Sequence, residues 1–223
     1  MLGKAAVAIW FDVAPEMKAE LEDWHSHEHM PERVAIPGFL RGTRFSREPS
    51  YFVLYEAAEL ATVTTGAYLE SLNNPTPWSR KMMPHHLNVV RSLCRVRASF
   101  GGGLAYAVAT IRFSPAQGRA ESLALWLAGD ALPALPRRKG LTGAHLLESE
   151  PAERTPPTAE QKMRGGADAR ADRVLLICGY DAEAVEAAAS ELAADTLLAH
   201  GASRDPVWKS YRVAYSLRPK DLA

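Results

Sequence analysis

One pattern occurs twice in this chain, about one hundred residues apart, and it limits the available folds more than any single motif does. The first half opens AAVAIWFDVAPEMKAELEDWHSHEHMP and the second AVATIRFSPAQGRAESLALWLAGDALP. Each is an apolar strand-like segment ending near a proline (Pro15, Pro115), then an amphipathic helical segment carrying a tryptophan (Trp24, Trp126). In both, a proline follows the tryptophan by seven residues (Pro31, Pro133) and a glycine by fourteen (Gly38, Gly140). Two strand signals come next, GTRFSRE and YFVLYEA in one half, AHLLES and RVLLICGY in the other. A helical stretch and a closing strand complete each half: ELATVTTGAYLESL with LNVVRSLCRVRA, and DAEAVEAAASELAADTLLAH with VWKSYRVAYSL.

Read as elements, the order is β-α-β-β-α-β, twice, which is the split βαβ or ferredoxin-like unit. Such a unit covers one face of its antiparallel sheet with helices and leaves the other to be buried elsewhere. The expectation is an α+β fold of two tandem ferredoxin-like βαββαβ units, residues 1–100 and 101–223, joined near GGGLA. Their bare sheet faces would bury each other in an intramolecular α/β barrel. The halves differ between their middle strands. The first has the short turn REPS. The second has a polar insertion rich in Pro, Gly, Ala and charge over about 149–173, expected to be disordered or else to act as an active-site lid.

Composition excludes some partners. The formal net charge is zero and the pI about 7.1, so the basic field that nucleic acid or a membrane surface requires is lacking. No apolar run reaches the length of a transmembrane helix, and the N-terminal MLGKAAVAIWFDV reads as a first strand, not a signal peptide. Cys94 and Cys178 fall in apolar strand signals and form no C-x-x-C, which reads as two buried thiols in a cytoplasmic protein. A small-molecule ligand is the expected partner, with a homodimer open.

The chemistry gathers in WHSHEHMPERVAIPGF, residues 24–39, where His25, His27 and His29 stand among seven histidines in the whole chain. On a regular helix of about 100° per residue, Met17, Leu21 and Trp24 form the core face and Glu28 falls on it. His25 and His29 lie one turn apart on one flank, and His27 on the other. Three readings follow. The segment is a solvated helix end, which suits His27. Or His29 works as an acid/base with Glu28 as its partner, because a carboxylate on a buried face needs one. Or His25 and His29 hold a divalent metal, a pair that still lacks further ligands. His85 and His86 reach the same place only if the segment 73–86 folds back.

Arg44, at the start of the second strand, is a candidate grip for a polar substrate group. Arg91, Arg95 and Arg97 alternate along RSLCRVR and so share one sheet face, expected at the solvent rim, with an interior grip as the alternative. Trp78 sits in a Pro-rich stretch beside Met82 and Met83, a plug of the core edge or a pocket wall. No phosphate loop or nucleophile signature occurs.

Tandem ferredoxin-like units with W-x-x-x-x-H-x-P at the end of the first helix resemble the dimeric α/β-barrel superfamily, and within it EthD-like proteins. Trp24, His29, Pro31 and Gly38 carry the resemblance. It implies one working site, in the first half, because Ala131 stands in the second copy where His29 stands in the first. It further implies a small aromatic or hydrophobic metabolite as substrate, and cofactor-independent acid/base chemistry of an isomerase, lyase or monooxygenase-like kind. A metal-dependent enzyme on His25/His29 and a non-catalytic binding or accessory protein are the alternatives. In this reading His29 and Glu28 are catalytic, while Trp24, His25, Arg44, Trp78, His85 and His86 bind substrate. No cofactor is expected, a divalent metal being the exception.

Overall fold

The computed structural model describes all residues except 65, 152–155, 204–205 and 223. The chain divides into two compact units. The first comprises residues 2–94, 150–170 and 214–223; the second comprises residue 1, 95–149 and 171–213. Strands β4 (Leu87–Gly101) and β8 (Val207–Leu217) each run from one unit into the other.

In the first unit the central strands are β1 (Ala5–Asp12), β2 (Phe39–Arg47) and β3 (Ser50–Ala57). Strand β3 pairs antiparallel with β1 on one side and β2 on the other. All eight residues of β3 are buried, which requires cover on both sheet faces. On the helix side Phe11, Tyr51, Val53 and Tyr55 join a core that includes Leu21, Trp24, Met30 and Phe39. On the other side Trp10, Phe52 and Phe45 stack with ring centroids 5.0 and 5.6 Å apart.

The second unit repeats the plan with β5 (Ala107–Phe113), β6 (Leu141–Ser149) and β7 (Arg173–Gly179), where β7 lies antiparallel to both β5 and β6. The α+β, ferredoxin-like fold read from the repeat is therefore the fold observed.

Two matched details show why the repeated residues matter. Gly38 and Gly140 both take positive φ, +96° and +88°, before a strand. A Cβ there would stand 2.5 Å from Thr62 Oγ1 in one unit and 2.4 Å from Ala184 Cβ in the other, so only glycine fits. Strands β2 and β6 also carry a register shift at the same place, Phe39/Arg41 and Leu141/Gly143.

The helices of the first unit are α1 (Lys18–Trp24), α2 (Met30–Val34), α3 (Leu60–Thr64), α4 (Gly66–Asn73) and α5 (Pro77–Met82). Between α1 and α2 the chain is not regular α-helix. His25–His29 form a π turn, and Met30 N donates to His25 O. The regular-helix expectation thus fails after Trp24, although Glu28 still meets Trp24 one turn back. The second unit holds α6 (Ala120–Trp126), a π turn at Leu127–Ala131, α8 (Ala182–Glu191) and α9 (Leu197–Ala199). Within the insertion, residues 152–155 lie outside the described part, but Ala159–Met163 form a helix, α7. A capping box fixes its start: Thr158 accepts from Gln161 N, and the Gln161 side chain accepts from Thr158 N. The insertion groups with the first unit, where Arg91 N donates to Ala169 O at 2.8 Å. Among the described residues no helix is long and apolar enough to cross a membrane. Neither cysteine forms a disulfide; Cys94 is buried and Cys178 is half-buried, not fully buried as expected.

Candidate active site

A pocket of about 40 Å³ opens in the first unit on the helix side of its sheet. Several elements contribute to it. Alternation along the strands delivers Ile9 and Phe11 from β1, Val53 and Tyr55 from β3, and Val89 and Arg91 from β4. Helical spacing delivers His25, His29 and Arg33, each four residues after the last. Tyr68 and Leu72 come from α4, and Met83 and His86 from the segment after α5. The insertion closes the ring with Glu160 and Arg164.

The π turn sets His25 and His29 side by side, ring centroids 5.7 Å apart. Both residues are buried, and the Nδ1 of each has no hydrogen-bond partner. Tyr55 Oη lies 3.4 Å from His25 Nε2, at the outer limit of a hydrogen bond. His29 lies against the Trp24 ring at 4.4 Å. His86 packs on Phe11 at 4.3 Å, and its Nδ1 is 3.2 Å from Met82 O. An imidazole that donates through Nδ1 keeps Nε2 as an acceptor.

Burial holds all three imidazoles neutral. Both His25 and His29 are pushed well below the usual histidine range, by loss of water first, and then by Arg44 at His25 and by Arg33 at His29. His86 falls to about 4 for the same first reason, with Arg164 adding to it. Glu160 moves the other way: burial raises it, and Arg33, Arg164 and Arg91 partly offset that rise.

The predicted site residues separate. His25, His29 and His86 meet at the pocket. For His86 this requires the segment 73–86 to fold back, and α5 does so: Thr76 caps it by accepting from Ser79 N. Glu28 is not the partner of His29. Its Oε1 accepts from Trp24 Nε1 (3.1 Å), Thr76 Oγ1 (2.5 Å) and Ser79 Oγ (3.3 Å). The carboxylate on the core face did need partners, and α5 supplies them, so Glu28 ties the first helix to α5. Trp24 is fully buried beside the site and does not line it. Arg44 also lies away from the pocket lining; its Nη1 donates to Glu22 O and its guanidinium sits 5.7 Å from the Tyr215 ring centroid. Trp78 packs on the core and pairs with Glu20, and His85 faces Glu20 too; neither lines the pocket. His27 is exposed, its Nδ1 2.9 Å from Asp23 Oδ1, as at a solvated helix end.

Sequence reasoning missed Arg33, Tyr55, Tyr68, Glu160 and Arg164, and expected Arg91 at the solvent rim. Alternation carried the right signal for Arg91, since it shares a face with Val89. Arg95 and Arg97 on the same strand are exposed. Among the described residues no group of three or more His, Cys, Asp or Glu gathers as a metal site.

No family model matches the chain, and no curated protein does. Solved structures do. An anthrone oxidase-like protein superposes with a TM-score of 0.67 at 15% identity, over 99% of this chain and 95% of that one. A putative monooxygenase from Lactobacillus acidophilus gives 0.58 at 7% identity over 97% of each chain. Another from Fusobacterium nucleatum gives 0.56 at 10% identity, over 96% and 93%. At these identities the likeness is one of fold: the chain has the ferredoxin-like fold of the dimeric α/β-barrel proteins along nearly its whole length.

Proposed function

We propose that the chain is a small-molecule enzyme, an EthD-like tandem fusion with one working site, in which His29 is the general base. The substrate is a small aromatic or otherwise hydrophobic metabolite with an acidic proton beside a carbonyl or phenol oxygen. One observation carries this reading. A buried, neutral His29 lines an apolar-walled pocket in which three guanidiniums, Arg33, Arg91 and Arg164, stand against one carboxylate, Glu160.

A neutral imidazole can accept a proton at neutral pH. As the substrate C–H or O–H transfers its proton to His29, the electron pair moves onto the substrate oxygen as an enolate or phenolate. The guanidiniums favour that charge in a site shielded from water. His25, backed by Tyr55, holds the neighbouring side of the pocket. Return of the proton at another carbon is isomerisation. Reaction of the carbanion with O2, one oxygen atom entering the product and the other leaving as water, is the cofactor-independent oxygenase outcome. Anthrone, in the name of one similarly folded protein, is a carbon acid of this class.

The unpartnered Nδ1 atoms of His25 and His29 also favour a second reading, a divalent metal held by that pair with substrate or solvent completing its coordination. Exchange of the methylene protons of anthrone, followed by NMR in D2O under nitrogen, separates the readings. Wild-type protein is expected to accelerate exchange, and His29→Gln to lose it while still binding anthrone. Exchange at the wild-type rate in His29→Gln would remove His29 as the base, and no acceleration by wild type over buffer would leave a binding protein. Exchange abolished by chelators and restored by a divalent ion would favour the metal.

A further inference from the structure

The three guanidiniums of the pocket are not equally neutralised. Arg164 is held by Asp168 through two hydrogen bonds, Nε to Oδ1 at 3.1 Å and Nη2 to Oδ2 at 2.7 Å. Arg33 is paired with Glu160, both side chains 3% exposed, and also donates to Ser71. Arg91 differs. Its guanidinium donates to the Tyr68 hydroxyl at 2.9 Å and lies 5.7 Å from that ring's centroid. No carboxylate pairs with it among the described residues. Asp168 and Glu160 act on its charge only from beyond ion-pair distance, which leaves guanidinium donors for the anion of a ligand.

Glu160 is the one carboxylate among the described residues that line the pocket. It reaches the pocket from α7, in the insertion, and its second oxygen stands 4.0 Å from Arg164. Through this five-residue helix the insertion brings Glu160 and Arg164 to the pocket and Met163 to the core.

We propose that the pocket's ligand carries a carboxylate, that Arg91 with Tyr68 receives it, and that Glu160 is a built-in competitor holding Arg33 until the ligand's carboxylate displaces it and loosens α7. This rests on the pocket's being the substrate site, as proposed above, and narrows the substrate to an aromatic or hydrophobic acid. Arg–carboxylate recognition is planar and bidentate, so a neutral isostere is a discriminating probe.

The test is calorimetric titration of the full chain with benzoate and with benzamide. Benzoate is expected to bind about tenfold or more tighter than benzamide. Arg91→Met should abolish that preference, and Glu160→Gln should tighten benzoate several-fold while leaving benzamide unchanged. If Arg91→Met fails to fold, Tyr68→Phe serves in its place, with retained benzamide binding as its control; it should reduce the preference. Equal binding of the two probes by wild type, or a Glu160→Gln variant that weakens benzoate, would overturn the proposal. That failure is separable from failure of the acid/base reading: His29-dependent anthrone exchange without a benzoate preference removes this inference alone, and a benzoate preference without His29-dependent exchange removes only the other.

Discussion

The first helix of each half turns through the same five-residue π segment directly after its tryptophan. His25–His29 follows Trp24, and Leu127–Ala131 follows Trp126, with Leu132 N donating to Leu127 O at 3.0 Å as Met30 N does to His25 O. The backbones match; the side chains do not. The offset that relates the tryptophans sets His25 against Leu127, His29 against Ala131 and Arg33 against Leu135. Where the first unit has a pocket, the second has Leu127, Leu132, Leu135 and Ile177 in one apolar core cluster. A π turn often marks a functional site, but here it recurs without the histidines. It belongs to the fold, and the chemistry belongs to what projects from it.

The largest effect that could break this comparison is on turnover. Once a substrate is in hand, His29→Gln should lower kcat by about 10²–10⁴-fold, the usual contribution of a positioned general base. Next comes acid sensitivity, read by urea denaturation at pH 7 and pH 5. The folded-state pKa values of His25, His29 and His86 all lie below their unfolded values. The unfolded chain therefore binds more protons than the folded one below about pH 6.5. Stability is full above that pH and falls as pH drops towards the folded values. For His86, with a folded value of about 4, the loss is on the order of 3 kcal/mol by pH 4. His86→Gln should flatten the slope.

A smaller effect separates the two tryptophans. Trp24→Phe deletes a donor to the Glu28 carboxylate and should cost about 1–3 kcal/mol. Trp126 is half-buried and stacks on His200 at 3.6 Å, a contact phenylalanine can keep, so Trp126→Phe should change the urea midpoint little. The smallest effect expected is that of Ala131→His. One imidazole on the second π turn, without the arginines and tyrosines of the first unit, should restore nothing in a His29→Gln background and shift stability by about 0.5 kcal/mol or less.

The fold could be read because two periodicities, alternation in strands and helical spacing, repeat with the same punctuating Trp, Pro and Gly. The site could be read only where it is local. His25 and His29 share a flank through their spacing, and that survives the π turn. Glu28 was assigned to His29 because a carboxylate on a core face needs a partner. The need was real, but Trp24, Thr76 and Ser79 meet it, and nothing near Glu28 in sequence points to Thr76 or Ser79. Glu160 and Arg164 were hidden for the opposite reason. Their polar surroundings lack the large apolar residues that signal packing; charge draws Glu160 to Arg33, while Arg164 is held by Asp168 of the same insertion.

The seven histidines give the comparison its most direct test, because three line the pocket and the others do not. Imidazole resonances would be followed by NMR while 2-naphthol, a neutral aromatic with an acidic hydroxyl, is titrated in. The account predicts that His25, His29 and His86 shift together and saturate together. His27 and His85 of the first unit, and His145 and His200 of the second, should stay in place. Movement of His200 without the pocket trio, or no movement of that trio at saturating ligand, would contradict the claim that the histidine-bearing turn holds the working site.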